Sequence, residues 1–170
     1  LESIASVGKK VFSGVTVVAG GGLPSNLPEE VFRLGPSIDA IAYGEGERPL
    51  LNLVNAKYRI QHLETETKGW ITKKSLTEKK KPAHDFVFDL DEIPFKSYDL
   101  VDFKNYKNLT RYHGEKNQQT VTASLMTSRG CPYLCNFCSS HTVHSRKMRF
   151  NSPGRVIDEV RYLKEVHGVN

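Results

Sequence analysis

Ser128-Arg129-Gly130-Cys131-Pro132-Tyr133-Leu134-Cys135-Asn136-Phe137-Cys138 is the stretch that decides how this chain is interpreted. It holds all three cysteines of the 170 residues, at the spacing Cys-x3-Cys-x2-Cys. Three thiolates can bind three irons of a four-iron cluster and leave the fourth iron without a protein ligand. An open metal position is what catalysis needs, so the spacing favours a reactive cluster over a closed structural site.

The cysteine count and the hydropathy indicate the cellular setting. An odd number of clustered cysteines fits poorly with a disulfide framework and favours a metal in a reducing compartment, so we expect a cytoplasmic protein. No apolar run approaches the roughly 18 residues that cross a bilayer, and we predict no membrane span. The sequence begins at Leu1 without an initiator Met, and we interpret it as a fragment of a longer protein.

The positive charge is concentrated in one polar stretch. The formal net charge is +5, and many of the basic residues lie close together, at Lys68, Lys73, Lys74, Lys79, Lys80 and Lys81. One aromatic residue, Trp70, lies nearby, which is a poor platform for stacking bases. The pattern favours a solvated loop, so we predict no nucleic-acid partner.

Two apolar runs in the amino-terminal part end in glycine-rich segments. Residues 15–19 precede Gly20, Gly21 and Gly22, and residues 38–43 precede Gly44-Glu45-Gly46-Glu47. Helical patterns surround these runs, at residues 1–13, 28–34 and 49–61. The alternation predicts an α/β fold with a doubly wound parallel sheet, which binds ligands beyond the carboxyl ends of its strands. The glycines permit close approach of another molecule, although their spacing alone favours a simple turn of the chain.

The carboxyl-terminal part has the pattern of one β/α unit of a barrel. Residues 120–126 have strand character, the cysteine loop follows them, and Ser152-Pro153 begins a helix that Gly168 ends. In such barrels the chemistry lies in loops after the strands. Between the two parts, residues 63–116 are mostly polar and are interpreted as a linker. Within it, Asp89-Leu90-Asp91-Glu92 is expected to cap or turn a surface segment rather than to bind a metal.

The cysteine loop resembles that of the radical S-adenosylmethionine superfamily, in its spacing, in the aromatic residue before its last cysteine and in its place after a strand. The resemblance implies that Cys131, Cys135 and Cys138 bind a 4Fe-4S cluster and that Phe137 lies beside the adenine of S-adenosylmethionine. It also implies reductive cleavage of S-adenosylmethionine to a 5′-deoxyadenosyl radical, with electrons from a donor such as flavodoxin or ferredoxin.

The amino-terminal part resembles the end of the cobalamin-binding domain that precedes the radical core in one large subfamily. The similarity rests on residues 17–22 and 38–47 and on the joining phrase 89–94. It implies a cobalamin-binding domain ending near residue 62, a linker over 63–116 and the first β/α unit of a partial TIM barrel over 117–170. Gly20, Gly21 and Gly22 would adjoin the nucleotide tail of cobalamin. The expected reaction is methyl transfer to an unactivated carbon of a small molecule, or its rearrangement or cyclisation.

Two alternatives remain open on the sequence. A methylthiotransferase of the same superfamily would carry three further cysteines in its amino-terminal domain, and the residues printed here include none. A non-catalytic zinc module would use His141 or His144 as a fourth ligand beside the cysteines. Zinc sites more often combine two separated ligand pairs, which favours the iron–sulfur interpretation.

Overall fold

The computed structural model describes residues 1–65, 68–106 and 121–169. The chain forms two compact units. Unit 1 comprises Leu1–Phe88 together with Gly130–Met148, and unit 2 comprises Asp89–Arg129 together with Arg149–Asn170. The cysteine loop therefore belongs to unit 1, together with both glycine-rich segments. The predicted boundary between residues 116 and 117 lies outside the described residues.

Unit 1 is built of short strands and helices. Its strands are β1 (Val18–Gly20), β2 (Ala40–Ala42) and β3 (Trp70–Thr72). Its helices are α1 (Glu2–Val11), α2 (Gly22–Asn26), α3 (Pro28–Leu34), α4 (Glu47–Asn55), α5 (Ile60–Thr65), α6 (Lys73–Thr77) and α7 (Ser140–His144). Strand β2 lies in the middle of the sheet, parallel to β1 and antiparallel to β3. The α/β class is thus confirmed.

All three residues of β2 are buried. Because side chains alternate along a strand, both faces of β2 are therefore covered. Ile41 packs into a cluster with residues of β1, β3, α1 and α3. Ala40 and Ala42 point the other way, into a cluster with Leu53 and Leu63 from α4 and α5. Helices therefore cover both faces of the sheet, and this burial explains why β2 reads as a continuous apolar run.

Strand β3 lies in the segment that the sequence predicts as a linker. Trp70, Ile71 and Thr72 are all buried, and β3 pairs with β2 from Ala40↔Thr72 to Ala42↔Trp70. The sheet is therefore mixed, with an antiparallel edge that the prediction of a parallel sheet omitted. Three residues are too short a run to show a strand period, so the pattern was not visible among their charged neighbours.

Unit 2 contains a two-stranded ribbon and one long helix. Strands β4 (Ser128–Arg129) and β5 (Arg149–Phe150) pair antiparallel, and α8 (Pro153–His167) follows. The strand predicted over 120–126 is wrong for residues 122–126, which form no helix or strand. A strand needs a neighbouring strand for its hydrogen bonds, whereas the Ser124 carbonyl accepts one from Lys96 Nζ at 3.0 Å. No helix in the described ranges is both long and apolar enough to cross a membrane.

The start of α8 is held by the acidic phrase before it. Asp91 Oδ1 accepts hydrogen bonds from the Ser152 backbone N–H at 2.9 Å and from Asn151 Nδ2 at 3.3 Å. The Arg155 guanidinium donates to the Ile93 carbonyl at 2.7 Å. Ser152 Oγ caps the helix by accepting from the Arg155 N–H. The prediction that these acids cap a segment is therefore confirmed.

We expect Asp91→Asn to loosen the first turn of α8. The hydrogen bonds from Ser152 hold the pKa of Asp91 below its usual value, so the carboxylate contributes stability at neutral pH. That contribution is complete above the unfolded pKa and is lost as pH falls through the lower folded pKa. Hydrogen exchange in this turn should be faster in the variant than in wild type at pH 7, and the difference should shrink at about pH 3. A difference that is the same at both pH values would contradict this role.

Candidate functional site

The carboxyl end of β1 leaves open space beside its glycines. Gly20, Gly21 and Gly22 are exposed, and Gly21 has a positive φ of 94° that other residues rarely adopt. A Cβ at Gly21 or Gly22 would meet nothing within 4 Å, and one at Gly20 would touch only Ala42, at 3.5 Å or more. The backbone at this edge is therefore accessible to another molecule, which fits the predicted ligand contact.

The carboxyl end of β2 is more crowded. The Gly44 N–H donates to the buried Ser25 Oγ at 3.1 Å, and Gly44 has a φ of +82°. A Cβ at Gly44 would lie 2.6 Å from His84 Nδ1 and 3.3 Å from the Val143 carbonyl oxygen. The backbone of α7 therefore comes close to this strand end. The glycine at position 44 is needed both for its φ and for this approach.

Three aromatic rings stack beside Gly44. The His84 ring lies between Tyr43 and Phe86, with both centroid distances 4.5 Å and interplanar angles of 21° and 16°. Among the described residues, the buried His84 Nδ1 has no hydrogen-bond partner. Burial lowers the pKa of His84, and the nearby Glu45 carboxylate opposes this effect. Burial thus favours the neutral form of the His84 imidazole. The sequence analysis missed it because it lies in the predicted linker.

Hydrogen bonds to backbone carbonyls connect residues within the segment that carries the cysteines. The Cys131 N–H donates to the Ser145 carbonyl at 3.2 Å, and the Cys138 N–H donates to the Cys135 carbonyl at 3.1 Å. The Arg146 guanidinium donates to the Tyr133 carbonyl at 2.6 Å. These contacts join the first cysteine to the residues that follow α7, so the loop and α7 form one connected segment.

The three thiols have the chemistry that an iron–sulfur cluster requires. Cys131, Cys135 and Cys138 are free, and Cys135 is exposed. Hydrogen bonds from the side chain and backbone of Ser140 lower the pKa of Cys138, which favours the thiolate that binds metals. Cys138 Sγ lies 3.2 Å from Ser140 Oγ. The donor set therefore fits a cluster with three protein ligands.

The structure does not bring the thiols together as a formed metal centre. In the described parts of the chain, no group of three or more His, Cys, Asp and Glu side chains is placed to hold a metal ion. Phe137 is 93% exposed on the same loop. The cluster ligands and the role of Phe137 are therefore still predictions.

Helix α7 forms one side-chain pair with the end of α2 and one with the segment just after β2. The Thr142 hydroxyl donates to Asn26 Oδ1 at 2.8 Å, and His144 Nδ1 lies 2.9 Å from Glu45 Oε1. The Glu45 side chain is only 2% exposed, whereas His144 is about one third exposed. From the sequence, His144 is predicted only as a candidate zinc ligand, and Glu45 has no predicted role. A carboxylate directly after a buried strand was the signal that would have marked Glu45.

Comparison with known proteins finds relatives along nearly the whole chain. An uncharacterised methyltransferase of Pyrococcus horikoshii is 33% identical over 98% of this chain. An anaerobic magnesium-protoporphyrin IX monomethyl ester cyclase of Rubrivivax gelatinosus is 28% identical over 99% of it. The cobalamin-dependent radical SAM methyltransferase TokK of Streptomyces tokunonensis is 26% identical over 94% of it. No protein-family model matches the chain.

These relatives are much longer than the present chain. The chain spans 34% of the Pyrococcus methyltransferase, 29% of the Rubrivivax cyclase and 23% of TokK. The similarity covers both glycine-rich segments and the cysteine loop, since each alignment takes in more than nine tenths of the chain. The candidate site therefore corresponds to one part, about a third to a quarter, of each longer relative.

Proposed function

Because this chain belongs to the radical S-adenosylmethionine methyltransferases and cyclases of the cobalamin-dependent type, we propose that its full-length protein cleaves S-adenosylmethionine reductively and modifies a small molecule. The observation that carries the proposal is the set of three free thiols at the spacing Cys-x3-Cys-x2-Cys on one loop of unit 1. Such a set leaves one iron of a 4Fe-4S cluster open for a substrate or cofactor.

The loop residues have distinct proposed roles. Cys131, Cys135 and Cys138 bind the cluster, and Phe137 lies beside the adenine of S-adenosylmethionine. The support for the second role is that Phe137 is a large apolar side chain left almost wholly exposed. When bound, the cluster and S-adenosylmethionine supply one-electron chemistry and a 5′-deoxyadenosyl radical. The protein contributes the thiolates, the placement of the loop and a surface from which water is excluded.

We assign cobalamin to the carboxyl ends of the strands in unit 1. Gly20, Gly21 and Gly22 are proposed to adjoin its nucleotide tail, and the open space beside these glycines supports the assignment. In the full-length protein, residues 1–62 would end a doubly wound cobalamin-binding domain. Residues 63–116 would join it to the first β/α unit of a partial TIM barrel at 117–170.

The proposed reaction follows from the relatives, which include methyltransferases and a cyclase. Methyl transfer to an unactivated carbon is the first candidate, and cyclisation or rearrangement of a biosynthetic intermediate is the second. Reduction of the cluster would require an electron donor such as flavodoxin or ferredoxin, in the reducing setting of the cytoplasm. A methylthiotransferase is the less favoured alternative, because no cysteine precedes Cys131 in this chain.

The decisive experiment is anaerobic reconstitution of the full-length protein with iron and sulfide. We expect about four irons and four sulfides per chain, with broad visible absorbance that fades on reduction. Incubation of the reduced protein with S-adenosylmethionine should release 5′-deoxyadenosine and methionine. Stoichiometric zinc without iron would instead support the non-catalytic zinc module and would refute the proposal.

Cobalamin is tested separately on the same preparation. Hydroxocobalamin added to the full-length protein should bind at micromolar concentration and shift its visible spectrum. Replacement of Gly21 by Val should weaken this binding, because the side chain would fill the open space and the position has a positive φ. The same change at Gly8, where a side chain also meets nothing within 4 Å, controls for the added bulk. Equal cobalamin affinity in all three proteins would count against the assignment of the glycines.

A further inference from the structure

The cysteine loop leads into α7, which contacts the rest of unit 1. Helix α7 begins two residues after Cys138 and packs against α2, the helix that begins at the last of the three glycines, Gly22. Two hydrogen-bonded pairs hold α7 in place, Thr142 with Asn26 at the end of α2 and His144 with Glu45 just after β2. We call these two pairs the docking contacts.

The Glu45 carboxylate makes the stronger docking contact. Its side chain is 2% exposed, and a buried carboxylate is stable only where donors compensate for the water it has lost. His144 Nδ1, at 2.9 Å from Glu45 Oε1, is one such donor. A hydrogen bond to a charged group is about twice as strong as a neutral one. Position 144 is therefore held against the end of β2.

The position of His144 is transmitted to the first cysteine. Ser145, the next residue, has a φ of +65° and its carbonyl accepts the hydrogen bond from the Cys131 N–H at 3.2 Å. Arg146 follows and donates to the Tyr133 carbonyl at 2.6 Å. A displacement of His144 would therefore move the backbone that holds the amino-terminal end of the cysteine loop.

We propose that Glu45 and His144 are positioning residues that fix the cysteine loop over the carboxyl ends of the strands. They act through the backbone and bind neither the cluster nor S-adenosylmethionine. This inference rests on the proposed function, because the contacts would serve to hold the cluster-binding loop beside the ligand site at the strand ends. The docking contacts themselves are a property of the protein without cofactors, so they can be tested independently.

The test is hydrogen exchange of the full-length protein without cofactors, followed by mass spectrometry. In His144→Ala, peptides within 130–148 should exchange about tenfold faster than in wild type, since a charge-linked contact to a buried group is lost. His144→Asn should restore slow exchange, because the Asn Nδ2 takes the place of the imidazole Nδ1 and donates to Glu45. His141→Ala is the matched control, since the His141 side chain forms no hydrogen bond or ion pair with the described residues. Exchange in the strands β1, β2 and β3 of unit 1 should stay unchanged throughout, which shows that the variants keep the fold of this unit.

Two results would overturn the proposal. Exchange within 130–148 that differs less than about twofold between His144→Ala and wild type would show that the contact does not anchor the loop. If His144→Asn shows normal exchange without cofactors but binds less iron than wild type after reconstitution, His144 would instead belong among the metal ligands. Failure of the proposed function would give a different result. The wild-type protein would then bind no iron, but His144→Ala would still exchange faster than wild type within 130–148.

Discussion

Replacement of Cys135 by Ala is expected to abolish cleavage of S-adenosylmethionine in the reconstituted full-length protein. Two remaining thiolates cannot hold a four-iron cluster in place, so iron content should fall well below four per chain. Release of 5′-deoxyadenosine should fall at least about 100-fold, more than the loss typical of a residue that only supports a metal ligand. Iron analysis and chromatography of the products measure the two effects on one sample.

Ser139→Ala is the matched control for this experiment. Ser139 lies on the same exposed segment and begins α7 without a side-chain capping bond. Removal of the Ser139 hydroxyl should leave iron content and product release within about twofold of wild type, as for most surface substitutions. Full cleavage by the Cys135→Ala protein would disprove the assignment of this thiol as a ligand.

Replacement of Gly130 by Ala is expected to have the largest effect on the structure of the loop. Gly130 has a φ of +97°, and a Cβ there would lie 2.2 Å from the Lys147 carbonyl oxygen and 2.9 Å from its carbon. Both atoms belong to the backbone, so no side chain can move aside to remove the clash. The strained φ alone costs about 1–3 kcal/mol, and we expect a total loss of at least about 2 kcal/mol in the free energy of unfolding.

Urea denaturation followed by circular dichroism checks the Gly130→Ala result, and iron content after reconstitution shows whether the three cysteines can still bind a cluster. The matched control is Gly154→Ala in the first turn of α8, where a Cβ would meet only Ser152 Oγ, at 3.9 Å. That change should be neutral or stabilising by up to about 1 kcal/mol, because Ala favours helix more than Gly. A similar loss in both variants would mean that the contact with Lys147 is unimportant.

Elements with local signals were predictable from the sequence. Helix α3 begins at Pro28 and ends before Gly35, as expected from Pro at the first position and acids in the first turn. Helix α8 is capped by Ser152 and ended by Gly168 with a φ of +66°, again as expected. In both cases the signal lies within a few residues of the helix end.

Features that depend on distant contacts were not predictable. Strand β3 exists because Trp70 and its neighbours pair with β2, about thirty residues earlier in the chain. Conversely, residues 122–126 have strand composition but no strand of the described residues pairs with them. Short apolar runs become strands only when a partner strand lies beside them.

The candidate site also contains residues that local sequence predicts and residues that only the fold brings together. The three cysteines lie within eight residues, so their spacing alone was informative. Glu45 and His144 are 99 positions apart, and Asn26 and Thr142 are 116 apart. The stack at His84 similarly joins a strand end to a residue about forty positions later. Such pairs are defined by the fold and leave no pattern in one sequence.

The burial of Trp70 gives unit 1 an intrinsic optical probe. Trp70 is the single tryptophan of this chain, is 2% exposed, and lies on β3 within unit 1. Within this chain, tryptophan fluorescence therefore reports the unfolding of the sheet that carries the glycine-rich strand ends. An emission maximum that shifts to longer wavelength while helical content persists would show that the two units lose structure in separate steps.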